Sequence, residues 1–294
     1  MSKRYYKYLL GLLAVIAVFV WQVVFAFPDA KSHVVFCDVG QGDAILLYQG
    51  FTQVLIDGGP NDKVLDCLSD NMPFFDKTLE MVILTHPDAD HLTGLDSVLD
   101  KYSVKHFVSG PEGADSSTYQ AFMTKVGLGE NNAQTRGNLK VINTYAGDKL
   151  RVAGLEFLTL WPAKDWLTEK IELPKGPVLG ARTEHKNLND FSLVFLAKVK
   201  DKTILLMGDA DSRVQSDIVI SDSLKQIDIL KYAHHGSKTG MREDFLAKLK
   251  PKEAVISVGK NNFGYPSSEA LSLLEKFGAK IRRTDVEGEI HYRF

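Results

Sequence analysis

A long apolar stretch near the N-terminus limits the possible folds more than any other segment. Only Gly11 and Gln22 interrupt the hydrophobic residues from Leu9 to Phe27. Built as a helix, this span would measure about 28 Å, close to the hydrocarbon thickness of a lipid bilayer. Residues 1–30 therefore predict a membrane anchor or signal segment, and residues 31–294 are expected to form a separate globular domain.

The charges before this stretch predict its orientation. Lys3, Arg4 and Lys7 precede the apolar residues, and positive charge is retained on the cytoplasmic side of a membrane. A single-pass protein with a cytoplasmic N-terminus and an exported domain is therefore expected. A cleaved signal peptide, with Val24 and Ala26 before the cut, is the alternative, although the apolar core of a signal peptide is shorter, at about 7–15 residues. In that case the domain would be secreted.

The bulk composition is that of a globular chain. The 294 residues are 45% hydrophobic and 24% charged, with a net charge of −2. A protein that coats nucleic acid carries a basic surface, so this class is disfavoured, whereas an enzyme that only cleaves a phosphodiester is not. The two cysteines, Cys37 and Cys67, give neither a paired-cysteine zinc motif nor a dense disulfide framework. Cys37 is interpreted as a small buried hydrophobe in an apolar strand.

The pattern after Ser32 predicts an α/β domain. Three short strands in HVVFCDV, AILLYQ and TQVLID form hairpins, and buried strands then alternate with helices. Residues 127–189 are less regular and include a long polar loop from Ala163 to Asp190. The alternation resumes at FSLVFLAKV, with a helix expected after Asp209. Two α/β halves therefore follow one another.

The segment ILTHPDADHLTG, residues 83–94, concentrates four potential metal ligands in six residues. His86, Asp88 and Asp90 alternate along a loop after a buried strand, so an extended backbone would point them in one direction, and His91 follows as a helix begins. Imidazole and carboxylate groups bind Zn, Mn and Fe, and the clustered acids would repel each other without a cation. Turns before helices also favour aspartate, but four such groups together favour a metal site.

Two later segments carry groups of the same chemistry. Asp209 ends the apolar strand TILLMG, where it could bind a metal or cap a helix. His234 and His235 end the strand IDILKYA, and because adjacent side chains point in different directions, at most one is expected to face a metal. Ser237 and Lys238 follow in GSKTG, which lacks the upstream glycine of a P-loop but could contact a phosphate.

Together these motifs resemble the metallo-β-lactamase fold, and within it the catalytic domain of the ComEC-type competence proteins. THPDADHLTG is similar to the HxHxDH signature, with Asp88 in place of the middle histidine, as is typical of that branch. DVGQGDAILL, LIDGGP, NDFSLVF, LLMGDAD, KYAHHGSKTG and ISVGKNNFGYPSSEAL follow in the order of the family, from about Ser32 to Phe294. The resemblance implies a four-layer αβ/βα sandwich, here preceded by one transmembrane helix.

The resemblance also implies a centre of two divalent metal ions, Zn or Mn. The implied ligands are His86, Asp88, Asp90, His91, Asp209 and His234. Asp209 would bridge the two metals, and Asp88 would shift the preference towards harder cations such as Mn, although Zn also fits. His235 would lie beside the ligands. Asp90, His235 and Asn189 are the residues expected to act in the reaction.

Several positions depart from the family pattern or support it indirectly. Asn189 and Ser192 stand where lactamases and thioesterases carry another histidine ligand, so Asn189 is expected to position substrate or a water. Tyr265 replaces a histidine, and a phenol titrates near 10, which argues against a role in acid–base chemistry. Asp57 is expected in a tight turn that supports the metal loop. The candidate substrate contacts are Ser192, Ser237, Lys238 and Tyr265.

The implied activity is that of a metal-dependent phosphodiesterase or DNase related to DNA uptake, in which two metals share a hydroxide. Because one apolar segment cannot form a channel, uptake would require a separate membrane channel protein as partner. Two alternatives remain open. One is another exported hydrolase of the same fold, acting on a lactam, lactone or thioester. The other is a non-catalytic binding module on this scaffold.

Overall fold

The computed structural model describes residues 3–126, 139–171, 180–181, 187–220 and 226–294. The first helix, α1, covers Lys3–Phe25. Within it, Tyr5–Phe25 has a mean hydropathy of 2.4, and none of it is buried against the rest of the protein. The apolar helix expected from the sequence is therefore present. Its length and composition suit a membrane span, and a signal sequence would have the same character.

The first sheet of the domain carries the N-terminal strands and the last strand of the chain. In spatial order its described strands are β14 (Ile290–Arg293), β1 (Ser32–Phe36), β2 (Ile45–Gln49), β3 (Thr52–Ile56), β4 (Thr78–Leu84), β5 (Ser103–Ser109) and β6 (Lys140–Asn143). Pairing is antiparallel from β14 to β3 and parallel from β3 to β6. The expected hairpins therefore lead into a parallel half.

The second sheet repeats this mixture. In spatial order its described strands are β13 (Lys280–Arg283), β12 (Glu253–Ile256), β11 (Ile229–Lys231), β10 (Lys202–Leu206), β9 (Val194–Val199), β8 (Leu155–Trp161) and β7 (Lys149–Val152). Pairing is parallel from β10 to β13 and antiparallel from β7 to β10. The carboxyl ends of β10, β11 and β12 consequently share one edge.

Helices cover the outer face of each sheet. Their bounds are α2 Lys63–Asn71, α3 Ala89–Lys101, α4 Ser117–Val126, α5 Lys164–Thr168, α6 Glu243–Leu249, α7 Ser268–Lys276 and α8 Thr284–Glu287, with short 3-10 helices at Leu188–Phe191 and Ala233–Gly236. One core of buried residues lies between the two sheets, and two others lie between a sheet and its helices. Three cores separate four layers, which confirms the predicted sandwich.

Alternation along β1 shows how the strands serve two cores. Val34 and Phe36 belong to the core between the sheets, whereas Val35 faces the helices. Successive side chains of a strand point to opposite faces, so a strand covered on both faces is apolar throughout. This explains why these strands are read from the sequence as continuous apolar runs.

Three sequence expectations need revision or fall partly outside the described residues. Residues 212–217 form turns, so the helix predicted directly after Asp209 is wrong there. The interpretation of Cys37 as a simple hydrophobe is also wrong, because Cys37 forms a disulfide with Cys67 of α2. Residues 172–179 and 182–186 of the long polar loop expected from Ala163 to Asp190 lie outside the described residues, and the parts of it that are described include α5 and most of the 3-10 helix Leu188–Phe191.

Candidate metal centre

The loop between β4 and α3 carries the four residues of the HxHxDH-like motif. β4 is buried up to Leu84, and the backbone of Asp88 is extended immediately before α3. His86 and His91 are fully buried, whereas the side chains of Asp88 and Asp90 remain 41% and 36% exposed. The loop therefore places two imidazoles inside the protein and two carboxylates at the mouth of the site.

Glycines allow the start of α3 to pack directly against neighbouring loops. A Cβ on Gly94 would lie 2.0 Å from the carbonyl oxygen of Gly58, and a Cβ on Gly42 would lie 2.2 Å from that of Asp90. The Gly58 N–H donates to the carbonyl of His91 at 2.7 Å. Side chains larger than hydrogen would push α3 away, so these glycines fix the position of Asp90 and His91.

Four side chains from distant parts of the sequence converge above the strand ends. Ligand atoms of Asp90, His91, Asp209 and His235 all lie within 4.8 Å of one another. Asp209 follows β10 and is buried at the centre of the group. Its Oδ1 lies 3.4 Å from His91 Nε2, and its Oδ2 lies 3.5 Å from His235 Nε2. His235 Nε2 is also 3.3 Å from Asp90 Oδ2.

His86 and Asp88 form a second group beside the first. His86 Nε2 lies 3.4 Å from Asp88 Oδ2, and the rings of His86 and His91 are 4.1 Å apart between centroids. His234 Nε2 is 3.9 Å from the Oδ2 of Asp209. Asp209, a member of the four-residue cluster, is therefore also close to the Nε2 of His234, and it interacts electrostatically with His86.

The chemistry of the buried atoms fits divalent cations. His86 Nε2, His91 Nε2, His235 Nε2 and Asp209 Oδ1 are buried without a hydrogen-bond partner in the described part of the chain. Buried polar atoms are nearly always hydrogen-bonded, so this concentration at one place is unusual. Imidazole nitrogen with carboxylate oxygen is a donor set for Zn, Mn and Fe, and bound cations would supply the partners that these atoms lack.

Asp57 orients one of the imidazoles from behind. Its Oδ2 lies 2.8 Å from His91 Nδ1 and accepts from the Thr85 hydroxyl at 2.7 Å, and its Oδ1 accepts from the Thr85 N–H at 2.7 Å. A carboxylate on Nδ1 keeps the proton there and leaves Nε2 free to bind a metal. The supporting role expected for Asp57 is thus matched by its contacts.

The backbone at His234 and His235 determines which of the two faces the cluster. Both residues have left-handed conformations, with φ of 51° and 52°, which are costly for a residue with a side chain. His235 is buried, and its Nδ1 lies 2.9 Å from the carbonyl oxygen of Ser257, so its Nε2 points to Asp209. The side chain of His234 is 26% exposed. This geometry favours the opposite order to the expected one, with His235 as the ligand.

A buried ion pair beneath the cluster was not expected from the sequence. Lys231 of β11 is fully buried, and its Nζ bonds to the carboxylate of Asp43, which is also buried. Lys231 also donates to the carbonyl of Gly208 at 3.1 Å, and Asp43 Oδ1 is 3.5 Å from His235 Nδ1. A lysine inside the apolar strand IDILKYA was the available signal, since lysine is almost never buried without a partner.

The fields of these groups shift their titration. Burial by itself would raise the pKa of Asp209, but His235 and His91 outweigh it and hold the pKa well below its ordinary value. Burial would lower the pKa of His91, yet Asp209 and Asp57 raise it well above the ordinary value. For His234 burial prevails and lowers the pKa. Within the cluster, Asp209 therefore favours its negatively charged form and His91 its protonated form. His234, which is partly exposed, favours the neutral form.

Two residues that were expected on the substrate side, Ser192 and Asn189, are buried. Ser192 is fully buried, and its hydroxyl accepts from the N–H of Asp209 at 2.9 Å. This placement argues against the substrate contact expected for Ser192 and makes it a support for Asp209. Asn189 lies in the 3-10 helix Leu188–Phe191 and is 9% exposed, and its N–H donates to the side chain of Asn187.

The other candidate contacts follow the rim. Ser237 is buried, and its hydroxyl accepts from the N–H of Thr239, so it stabilises a turn rather than facing solvent. Lys238 is exposed. The ring of Tyr265 lies 5.6 Å from that of His234 and 5.7 Å from that of Phe263, and Phe263 is 71% exposed. Three aromatic rings therefore lead outward from the cluster.

Comparisons with curated proteins return proteins named for competence and recombination. The chain is 28% identical to ComE operon protein 3 of Bacillus subtilis and 26% identical to Recombination protein 2 of Haemophilus influenzae, over 92% and 87% of its length. It is 22% identical to Competence protein ComA of Neisseria gonorrhoeae over 91% of its length. The aligned part is only 34%, 28% and 33% of those relatives, so the chain corresponds to a minor part of each.

Solved structures and a family model place the fold. The metallo-β-lactamase fold protein YhfI of Bacillus subtilis aligns with a TM-score of 0.54 and 15% identity, over 90% of this chain and 100% of that one. CmlA, a diiron β-hydroxylase from Streptomyces venezuelae, aligns with a TM-score of 0.53 and 12% identity, over 90% and 55%. The family model described as the metallo-beta-lactamase superfamily matches residues 37–260. Because that match runs from the end of β1 to beyond β12, through both sheets, the chain belongs to the metallo-β-lactamase superfamily.

Proposed function

We propose that the protein is a membrane-anchored, exported phosphodiesterase that cleaves DNA strands with the help of two divalent cations. The convergence of Asp90, His91, Asp209 and His235 within 4.8 Å carries the proposal. Membership of a metallo-hydrolase superfamily supports metal-dependent hydrolysis, and the names of the curated relatives, which refer to competence and recombination, point to DNA. The fold alone does not fix the reaction, since it also serves a diiron hydroxylase.

The cluster divides into two sets of ligands around one carboxylate. Asp90, His91, Asp209 and His235 would hold one cation. His86 and Asp88 would hold the other, and Asp209 would be shared, since it interacts electrostatically with His86 as well as with His91 and His235. When bound, such cations polarise a phosphoryl oxygen and make a water nucleophilic at neutral pH.

The surrounding residues prepare this site for a reaction. Asp57 holds the proton of His91 on Nδ1, and the Ser257 carbonyl does the same for His235, so both Nε2 atoms stay free for metal. Ser192 fixes the backbone of Asp209. These contacts hold the ligands in place before substrate arrives, and such preorganisation is what electrostatic catalysis requires.

A phosphodiester fits the open side of the site better than a lactam does. Asp88 replaces an imidazole with an oxygen ligand, which favours harder cations such as Mn. Asn189 and Ser192 stand where lactamases and thioesterases carry another histidine ligand, so the ligand set differs from that of a lactamase. The exposed Lys238 offers a positive charge for a phosphate, and the rings of Tyr265 and Phe263 offer surfaces on which bases stack.

Export is supported by two independent features. The apolar helix Tyr5–Phe25 can cross a bilayer, and the preceding Lys3 and Arg4 favour a cytoplasmic N-terminus. The disulfide between Cys37 and Cys67 suits an oxidising compartment outside the cytoplasm. A role in uptake would require a separate channel protein, because a single apolar helix encloses no pore.

The test uses the full chain in detergent, stripped of metal and reloaded with Mn or Zn. Hydrolysis is measured on single-stranded DNA, double-stranded DNA, bis(p-nitrophenyl) phosphate and a chromogenic lactam. DNA cleavage that depends on metal is expected, with little lactam turnover. Lactam turnover without DNA cleavage would favour the other hydrolase, and loaded metal without turnover on any substrate would favour a binding module.

Variants then identify the ligands. Asp90→Ala and Asp209→Ala should abolish turnover and lower the metal content. His235→Ala should strip metal, whereas His234→Ala should lower the rate and retain metal. The exposed Glu275→Ala on α7 is the control. If His234→Ala removes metal and His235→Ala does not, the proposed ligand order is wrong.

A further inference from the structure

Four exposed phenylalanines form an aromatic patch on the surface of the domain next to the end of α1. Phe27, Phe51, Phe74 and Phe75 are between 42% and 56% exposed. Their ring centroids lie 5.5 Å apart for Phe27 and Phe51, 5.8 Å for Phe27 and Phe75, and 5.2 Å for Phe74 and Phe75. The four rings come from three separate segments of the chain, so the cluster is a feature of the folded surface.

The apolar surface of α1 continues into this patch. Phe27 comes two residues after α1 ends, and Phe74 lines a cleft together with Trp21 and Phe25 of the helix. Trp21 and Phe25 are themselves 60% and 78% exposed. Exposed apolar clusters on soluble surfaces are small and mark sites of interaction, and aromatic rings concentrate where a helix leaves the bilayer.

We propose that the aromatic patch inserts into the interfacial layer of the bilayer that α1 enters, so that this edge of the domain contacts the membrane. The occupant is lipid because the patch adjoins the end of a helix long enough to span a bilayer. Phe27 belongs to the connection that leaves that helix and is in ring contact with Phe51 and Phe75. The membrane thus holds the domain at two places, through the helix and through the patch.

The same geometry fixes the direction in which the metal site faces. Phe74 and Phe75 precede the start of β4, and His86 follows its end. A strand of seven residues spans about 20 Å, so the patch and the metal site lie at opposite edges of the first sheet. With the patch on the membrane, the metal site would open towards the aqueous side, away from lipid. This inference rests on the membrane anchor proposed above but is independent of the proposed substrate.

The experiment measures the depth of a fluorophore on the full chain in vesicles of phosphatidylcholine and phosphatidylglycerol. Cys37 and Cys67 are bonded to each other, so a cysteine introduced by Phe75→Cys or Phe51→Cys can be labelled selectively with an environment-sensitive dye. Val286→Cys is the matched control. Val286 is 71% exposed and lies in α8, which follows the carboxyl end of β13. It is therefore on the side of the domain that carries the metal site, away from the patch.

Labels at positions 51 and 75 are expected to emit at shorter wavelength and to be quenched by lipids that carry a nitroxide near the headgroup. The label at position 286 is expected to be quenched by iodide in the water. Equal iodide quenching at all three positions would overturn the proposal. Labels at 51 and 75 protected from both quenchers would also overturn it, because protein, such as a second copy of the chain, would then cover the patch.

Discussion

Replacing Asp57 by asparagine should weaken metal binding by about 10- to 100-fold, because outer groups that orient a ligating histidine have effects of this size. The Asp57 carboxylate is buried and serves three donors: the N–H and hydroxyl of Thr85 and the Nδ1–H of His91. An asparagine keeps one acceptor oxygen and replaces the other by an NH2 group. At least one donor then loses its partner, and the imidazole of His91 loses a negative charge behind it.

Asparagine is the informative substitution because the backbone at Asp57 is left-handed, with φ of 59°. Asparagine and aspartate tolerate this conformation better than other residues with side chains. The turn is therefore retained, and the change is confined to the contacts of the carboxylate. Asp57→Ala adds backbone strain and leaves buried donors unpaired, each at a cost of about 1–3 kcal/mol, so it should also lower the free energy of unfolding.

The assay is competition for Zn or Mn with a chromophoric chelator, alongside urea unfolding in the presence of EDTA. Asp62→Asn, an exposed aspartate at the start of α2, is the control and should bind metal like the wild type. If Asp57→Asn binds metal within about twofold of the wild type, the outer carboxylate does not orient the ligand, and the reasoning from the contacts of His91 fails.

Three further predictions follow from other contacts. Lys231→Met should lower the free energy of unfolding by about 3–5 kcal/mol, since it leaves the buried carboxylate of Asp43 unpaired, and adding Asp43→Asn should recover part of this loss in urea titrations. Burial raises the pKa of Glu112 from 4.5 to about 8, so its carboxyl stabilises the fold below about pH 4.5 and this contribution is lost as the pH rises towards 8. The slope is at most about 1.4 kcal/mol per pH unit, and Glu112→Gln should flatten it in unfolding measured across this range. Phe263→Ala should lower kcat/KM for single-stranded oligonucleotides by about tenfold through lost stacking and leave bis(p-nitrophenyl) phosphate hydrolysis unchanged.

Each of these predictions can be contradicted directly. Equal stability of the wild type and Lys231→Met would show that the pair with Asp43 contributes nothing. A slope that persists in Glu112→Gln would assign the pH dependence to other groups. Equal losses on both substrates after Phe263→Ala would indicate disturbance of the metal site rather than loss of a stacking surface. The absence of any DNA cleavage by the wild type would instead contradict the proposed substrate.

The elements that depend on local pattern could be predicted from the sequence. The apolar runs that end at Leu84 and Leu206 became β4 and β10, because a strand covered on both faces is apolar throughout. The ligand-rich loop at His86 could be placed at a strand end for the same reason. Parallel strands bring their carboxyl ends to one edge of a sheet, so motifs far apart in the chain were expected to meet there, and Asp209 lies beside His91.

The features that depend on tertiary contacts could not be predicted in this way. The disulfide joins Cys37 to a helix 30 residues away, and nothing in the spacing of two cysteines specifies whether they pair. The ion pair of Lys231 and Asp43 joins β11 to a loop of the first half of the chain. Pairings of this kind are decided by the packing of the two halves, which no short window of sequence records.

The order of the two adjacent histidines shows where residue-level reasoning ends. Alternation along an extended chain would send His234 and His235 to opposite sides, and either could have faced the metals. Both instead take left-handed backbone conformations, a strain of about 1–3 kcal/mol each that persists only where the surroundings enforce it. Gly236 lies against Pro266, where a Cβ would meet the proline ring at 2.5 Å, and the Gly236 carbonyl accepts from Ser267. The segment near Tyr265 therefore packs against the residue that follows His235, and the same segment carries the rings expected to meet the substrate. Ligand geometry and substrate contact are thus coupled through one loop, so a substitution at Pro266 should change both metal content and the preference for single-stranded DNA.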